Sequence, residues 1–298
     1  MTSHPQNPPL RFQNTIARTA EVNGFGYWSG RDVRVEFRPA PPDTGLVFVR
    51  GDLTPAVRIP ALHKYRVESP RRTTLKASNA QVEMVEHILA ALAGLHIDNC
   101  EIWVNAQEMP GCDGSSLPFV EALDQAGLVP QESRIRQLVV VERVRVGDDN
   151  VWIEAHPCRG PATFSVKFRI DYGMESAIGR QTCQVNVTPA TFRTELASSR
   201  TFVLKQEADW LRSQGLALRP THHDLLIFDD NGPIDNPMRF PEECARHKAL
   251  DLVGDLALAG CGILGQFVAN SSGHRLNAEL VRAIMNEGQR LGCWRRSA

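Results

Sequence analysis

Arg246-His247-Lys248-Ala249-Leu250-Asp251-Leu252-Val253-Gly254-Asp255-Leu256-Ala257-Leu258-Ala259-Gly260 decides how the chain is read. Leu250, Val253, Ala257 and Leu258 recur at helical spacing and share one apolar face. Gly260 marks the stop just past the helix. His247, Asp251 and Asp255 fall at i, i+4 and i+8, so they stack along one stripe. A His and an Asp one turn apart converge on a single metal ion. The second Asp is placed to orient another catalytic side chain. Taken alone, H-x-x-x-D is a weak signal, because its residues are common on solvated helix faces.

A second Ala/Leu-rich helix is expected from Val82 to Leu95, with Glu86-His87 in its first half. The two halves of the chain echo each other. Each has a His near the start of such a helix, an Ala-Gly near its end, a strand, a glycine-bearing polar loop and a further amphipathic helix. Gly94 follows His87 at the same interval as Gly254 follows His247. The echo predicts an α+β fold in which two similar layers pack face to face. His87 and His247 then approach each other across a shared cleft.

Around these helices, strands are expected from Phe12 to Val22, Val33 to Phe37, Gly45 to Val49 and Ile97 to Asn105. A helix is expected from Pro118 to Ala126, then a linker from Gly127 to Arg136. The second half should carry strands at Leu138 to Val146, Val151 to Ala155, Ala162 to Ile170, Leu225 to Phe228 and Ile263 to Ala269. Helices should run from Thr191 to Leu196, Glu207 to Gln214 and Asn277 to Arg290, with His274 in the loop before the last. The glycines between Gly24 and Gly30 lead into an alternating strand, which favours a hairpin turn over a dinucleotide fingerprint.

At 298 residues, with 42% hydrophobic and 22% charged residues, the chain suits about two ordinary domains. A net charge of -1 argues against bulk electrostatic binding of nucleic acid, while a local basic pocket stays open. The first nine residues read as a loose, proline-rich tail without the apolar core of a signal peptide, and no run reaches membrane-span length. Seven scattered cysteines without C-x-x-C spacing fit a reducing cytoplasm.

His87, His247 and Asp251 supply two imidazoles and a carboxylate, the three protein ligands of a catalytic zinc with one open position. Glu86 is the candidate general base. His274 is the candidate proton donor or oxyanion partner, and Asp255 would hold its ring in the needed tautomer. Lys248 is placed to take an anionic part of the substrate.

The blocks Arg38-Pro39-Ala40-Pro41, Val85-Glu86-His87 through Asp98-Asn99, Asp113-Gly114-Ser115, Ser199-Arg200-Thr201-Phe202, Arg246 to Leu256 and Ser272-Gly273-His274 occur in order. Together they resemble the bacterial UDP-3-O-acyl-N-acetylglucosamine deacetylases. The resemblance implies a zinc amidohydrolase of lipid A synthesis, built from two βα-sandwich domains (10–128 and 137–298) with the active site between them. It implies a UDP-linked acylated glucosamine as substrate. It also implies His87, His247 and Asp251 as metal ligands, Glu86 as base, His274 backed by Asp255, Thr201 on the tetrahedral intermediate and Lys248 on the nucleotide side. Zn²⁺ is the expected ion, although Fe²⁺ accepts the same ligands. Phe202, Leu204, Trp210, Leu211 and Leu216 are expected to take the acyl chain. Transient contact with a membrane surface, the acyl length and the oligomeric state stay open.

The chain departs from the family pattern in three places. Gly26-Tyr27-Trp28-Ser29-Gly30 has aromatics where the family commonly has Gly-Leu-His-Thr-Gly. Ser271 stands where many members carry a lysine. Arg219-Pro220-Thr221-His222-His223 occupies a region that usually has small residues. Ser271 and the Arg219 loop leave a zinc amidohydrolase with another N-acyl substrate as the nearest rival; a non-catalytic paralog that binds a nucleotide-sugar or a partner protein is a rival of another class, against which the full set Glu86, His87, His247, Asp251 and His274 argues.

Overall fold

The computed structural model describes residues 10–158, 160 and 163–295. The expected tail at residues 1–9 and the expected strand residue Ala162 lie outside them. In the first half, Ala20–Phe25, Asp32–Pro39, Cys100–Val104, Leu46–Arg50 and Val57–Pro60 form a five-stranded sheet in that spatial order. Val33, Val35 and Phe37 alternate inward from the second of these strands, which is the pattern of a sheet with one covered face. Helices α1 (Glu86–Gly94) and α2 (Leu117–Ala126) belong to the same half. A small sheet of Arg66–Val67, Thr74–Ala77 and Ala80–Glu83 leads into α1.

The second half is built on Gly262–Asn270. This strand pairs antiparallel with Trp152–His156 and parallel with both Phe164–Asp171 and Gln137–Val139. Val144–Gly147, Arg180–Asn186 and Trp294–Arg295 complete a seven-stranded sheet. After the single turn α3 (Pro189–Thr191) the chain makes a three-stranded insert of Phe202–Leu204, Leu226–Asp229 and Gly232–Pro233, which carries α4 (Lys205–Ser213). Helices α5 (Glu243–Leu256) and α6 (His274–Leu291) follow. The result is the expected α+β class.

Helices α1 and α5 pack directly on each other. Both are buried nearly all round, as helices enclosed between two layers must be. Gly254 makes the approach so close that a Cβ there would lie 2.1 Å from the Glu86 carbonyl oxygen. At the matching position on α1, a Cβ on Gly94 would strike the Phe192 ring at 2.3 Å.

Several boundaries depart from expectation. The helix expected from Val82 begins at Glu86, because Ala80–Glu83 is a strand and Met84 turns the chain with φ 58°. The expected linker after Gly127 contains a strand, Leu128–Arg134, paired antiparallel with Phe12–Ile16. The expected strand from Phe12 to Val22 splits, with Ala20–Phe25 joining the main sheet. The expected strand from Leu138 to Val146 also splits, because its two parts pair with different partners. Arg180–Asn186 is a strand where none was expected. His274 is the first residue of α6 and not a loop residue. Among the described residues no helix is long and apolar enough to cross a membrane.

Candidate active site

The site forms where α1 and α5 cross. His87, second on α1, and His247, on α5, meet edge to face with ring centroids 5.1 Å apart. Asp251 lies one turn beyond His247. Its Oδ1 is 3.5 Å from His87 Nε2 and 3.4 Å from His247 Nε2. That oxygen is buried and has no hydrogen-bond partner. An unpaired carboxylate oxygen sealed from water is costly unless a cation satisfies it. Tetrahedral zinc with ligand bonds of about 2.0–2.1 Å sets neighbouring ligand atoms about 3.3–3.4 Å apart. The three candidate ligand atoms all lie within 4.8 Å of one another. Donor set, spacing and orphaned oxygen therefore fit one divalent ion.

The surrounding bonds hold this geometry. His247 Nδ1–H donates to the Ser199 carbonyl at 3.1 Å, which leaves the Nε2 lone pair facing inward. Burial pushes the His247 pKa down to about 3, with Asp251 pulling the other way, so the ring is neutral, as a ligand requires. Lys248 Nζ donates to Asp251 Oδ2 at 2.9 Å and lies 5.8 Å from the Phe202 ring centroid. Burial alone would lower the Lys248 pKa and raise that of Asp251. Asp251 outweighs burial at Lys248 and keeps it charged. His247 and Lys248 draw Asp251 well below the usual carboxylate range.

Glu86, the first residue of α1, is buried and accepts the Thr73 N–H on Oε2 at 2.9 Å. Burial raises its pKa, against the pull of His274 and His87. His274 Nε2 is 3.7 Å from Glu86 Oε1, while His274 Nδ1 bonds Asp255 Oδ2 at 2.8 Å. A helix start disfavours a cation, and burial disfavours it further, yet Asp255 and Glu86 prevail and raise the His274 pKa to about 9. A buried carboxylate of raised pKa and a charged imidazolium thus face each other beside the candidate metal position.

The first strand of the insert starts beside the candidate ligands. Phe202 lies 6.2 Å from the His247 ring, centroid to centroid, and Thr201 N donates to the Gly114 carbonyl at 2.7 Å. Thr201 therefore links the first half at Gly114 to the strand whose Phe202 faces His247. Leu204 is half-buried, Leu211 is buried, and Trp210 and Leu216 are exposed on the insert.

Sequence reasoning missed the supports. Arg200 and Glu243 form a fully buried bidentate pair, at 2.8 and 3.0 Å, that fixes the start of α5 against the strand at Phe202. Asn277 donates to Asp255 at 2.8 Å and accepts from Ser272 at 2.8 Å. Thr73 Oγ1 donates to Asp255 Oδ1 at 2.5 Å. The departures from the family pattern also find places. Tyr27 is buried against Gly111, and its hydroxyl donates to the Asp224 and Cys112 carbonyls. Arg219 stacks 4.1 Å over Phe25 and bonds the Gly30 carbonyl at 2.9 Å and Asp32 at 2.7 Å, tying the insert to the first hairpin. The motif Ser199-Arg200-Thr201-Phe202 was the one available signal for part of this scaffold.

The family described as UDP-3-O-acyl N-acetylglycosamine deacetylase matches residues 13–286. The chain belongs to that family. Relatives named UDP-3-O-acyl-N-acetylglucosamine deacetylase from Shewanella sp. (strain W3-18-1), Shewanella oneidensis and Shewanella baltica are each 38% identical over 282 residues, covering 92% of this chain and 90% of theirs. These deacetylases are metalloenzymes, and the His87, His247 and Asp251 cluster is where this member could hold its metal.

Proposed function

We propose that the protein hydrolyses the N-acetyl group of UDP-3-O-acyl-N-acetylglucosamine, in the cytoplasmic synthesis of lipid A, with Zn²⁺ held by His87, His247 and Asp251. The observation that carries this is the buried, unpaired Asp251 Oδ1 facing both imidazoles, with Glu86 and His274 beside it. Fe²⁺ would accept the same donors. When bound, the ion supplies Lewis acidity toward the acetamide carbonyl and the attacking water.

The side chains divide the proton work. Glu86, whose burial favours the protonated form, takes a proton from the water that adds to the carbonyl. His274, held charged by Asp255, stabilises the oxygen as it gains negative charge and passes a proton to the departing amine. Carbon–nitrogen cleavage then leaves acetate and the free amine. Thr201, at the head of the insert, adds a hydroxyl to that oxyanion's surroundings. Lys248 keeps a positive charge beside the ligand set for the nucleotide's phosphates. The acyl chain runs from Phe202 along the insert, over Leu204 and Leu216 to Trp210, with Leu211 buried; Trp210 and Leu216 are exposed and have apolar surface to cover.

The test is turnover of the UDP substrate against simple N-acetyl sugars, with metal analysis. Asp251→Ala should lose both metal and activity, whereas His274→Ala should keep the metal and lose rate. Equal metal loss in both variants would refute the assigned roles. A preference for the simple sugars would favour an amidohydrolase with another N-acyl substrate. Absence of metal in the wild type, with no effect of Glu86→Ala, would favour a binding paralog.

A further inference from the structure

We infer that Thr73 is a positioning residue that sets the base and the acid of the reaction against each other; this rests on the deacetylase reading above. Thr73 is fully buried just before the strand Thr74–Ala77. All three of its polar groups are engaged. Its N–H donates to Glu86 Oε2 at 2.9 Å, its carbonyl accepts from Val85 N at 3.4 Å, and its hydroxyl donates to Asp255 Oδ1 at 2.5 Å. Asp255 in turn uses Oδ2 to accept from His274 Nδ1 and Asn277 Nδ2, both at 2.8 Å. His274 Nε2 then faces Glu86 Oε1 across 3.7 Å.

These bonds, with the 3.7 Å ion-pair gap between Glu86 and His274, close a loop from Thr73 to Glu86, across to His274, through Asp255 and back to Thr73. One small residue of the first domain therefore fixes both walls of the gap in which water and carbonyl must meet. The backbone bond aims the base. The hydroxyl aims Asp255, which aims His274 in the second domain. Asp255 Oδ1 has Thr73 as its partner and is sealed from water, so loss of the hydroxyl strands a buried carboxylate oxygen. The carboxylate is then free to turn, and the His274 ring turns with it.

Thr73→Val removes the hydroxyl, keeps the shape and leaves the N–H bond to Glu86. Thr73→Ser restores the hydroxyl. In the metal-loaded enzyme acting on UDP-3-O-acyl-N-acetylglucosamine, Thr73→Val should lower kcat about 10- to 100-fold. KM and metal content should stay unchanged. Thr73→Ser should recover most of the rate. A downfield proton resonance from His274 Nδ1–H, identified by its loss in His274→Ala, should shift or vanish in Thr73→Val and return in Thr73→Ser. Wild-type turnover in Thr73→Val, an unmoved resonance, or a serine variant as slow as the valine variant would overturn the inference, as would loss of metal in step with loss of rate. If Thr73→Val does not fold, Thr73→Ala removes the same hydroxyl and is read the same way. If the wild type fails to turn over the substrate, the deacetylase reading fails on its own, and the resonance still decides whether Thr73 positions His274.

Discussion

Replacing Gly254 with alanine puts the α1–α5 crossing to a direct test. The new Cβ would sit 2.1 Å from the Glu86 carbonyl oxygen, 2.9 Å from its carbonyl carbon and 3.1 Å from Ala90 N. All three are backbone atoms, so no side chain can rotate aside. Ordinary contact begins near 3.4 Å, so α1 must retreat by the difference from 2.1 Å, on the order of 1.3 Å. Glu86 and His87 ride on α1, while His247 and Asp251 ride on α5. Metal–ligand distances tolerate only about 0.2 Å, so a displacement of that size would break the proposed ligand set. Overpacking alone costs about 1–3 kcal/mol, and misplacement by about 1 Å costs on the order of 100-fold in rate. Chelator competition, thermal unfolding and turnover should therefore all register Gly254→Ala, with metal affinity and rate falling further than stability. Gly94→Ala strikes the Phe192 ring, away from the ligands, and should lower stability while sparing metal binding. A Gly254→Ala protein that holds its metal as wild type does and turns over normally would refute the claim that this crossing builds the site.

Further outcomes follow from other contacts. Glu243→Ala leaves Arg200 charged and buried, which should destabilise the fold by about 3–5 kcal/mol in denaturant melts; a loss under about 1 kcal/mol would mean the pair is dispensable. Burial alone would raise the Glu154 pKa, but Arg143, Arg145 and His156 hold it down to about 2. Its stabilisation is therefore complete above the ordinary carboxylate range and fades as pH falls toward 2. Wild type and Glu154→Gln should converge in stability across that acid window and diverge above it, and parallel curves would sink the assignment. Arg219→Ala should change global stability by no more than about 1 kcal/mol, because its ion pair is exposed. It should still speed hydrogen exchange in the insert near Leu226, and unchanged exchange there would show that the hairpin contact does not brace the insert.

The helical spacing of His247 and Asp251 and the echo around His87 were enough to place the three candidate ligands together. Those signals are local, and the layered packing of the two halves does the rest. What escaped reading depends on partners distant in sequence. Val82 and Met84 suit the apolar face of a helix as well as a strand, and the left-handed turn at Met84 comes from tertiary fit. Leu128–Arg134 shows no apolar alternation because its side chains are mostly solvated, so only pairing with Phe12–Ile16 makes it a strand. Arg180–Asn186 buries just Cys183 and Val185, too faint a rhythm to stand out. Thr73, Ser199 and Asn277 are ordinary polar residues until Glu86, His247 and Asp255 arrive beside them. Trp210 and Leu216 face solvent, so neither burial nor periodicity marks the surface proposed for the acyl chain.

His87 comes from the first half of the chain, while His247, Asp251 and His274 come from its last quarter. A ribosome that has finished the first half of the chain has therefore made only a fragment of the proposed site. Competence arrives only when α5 docks, and an ion captured there is also a rivet through the seam. By mass action its binding strengthens the join between the halves, so a cell starved of that cation should loosen the protein at its middle before it unravels elsewhere.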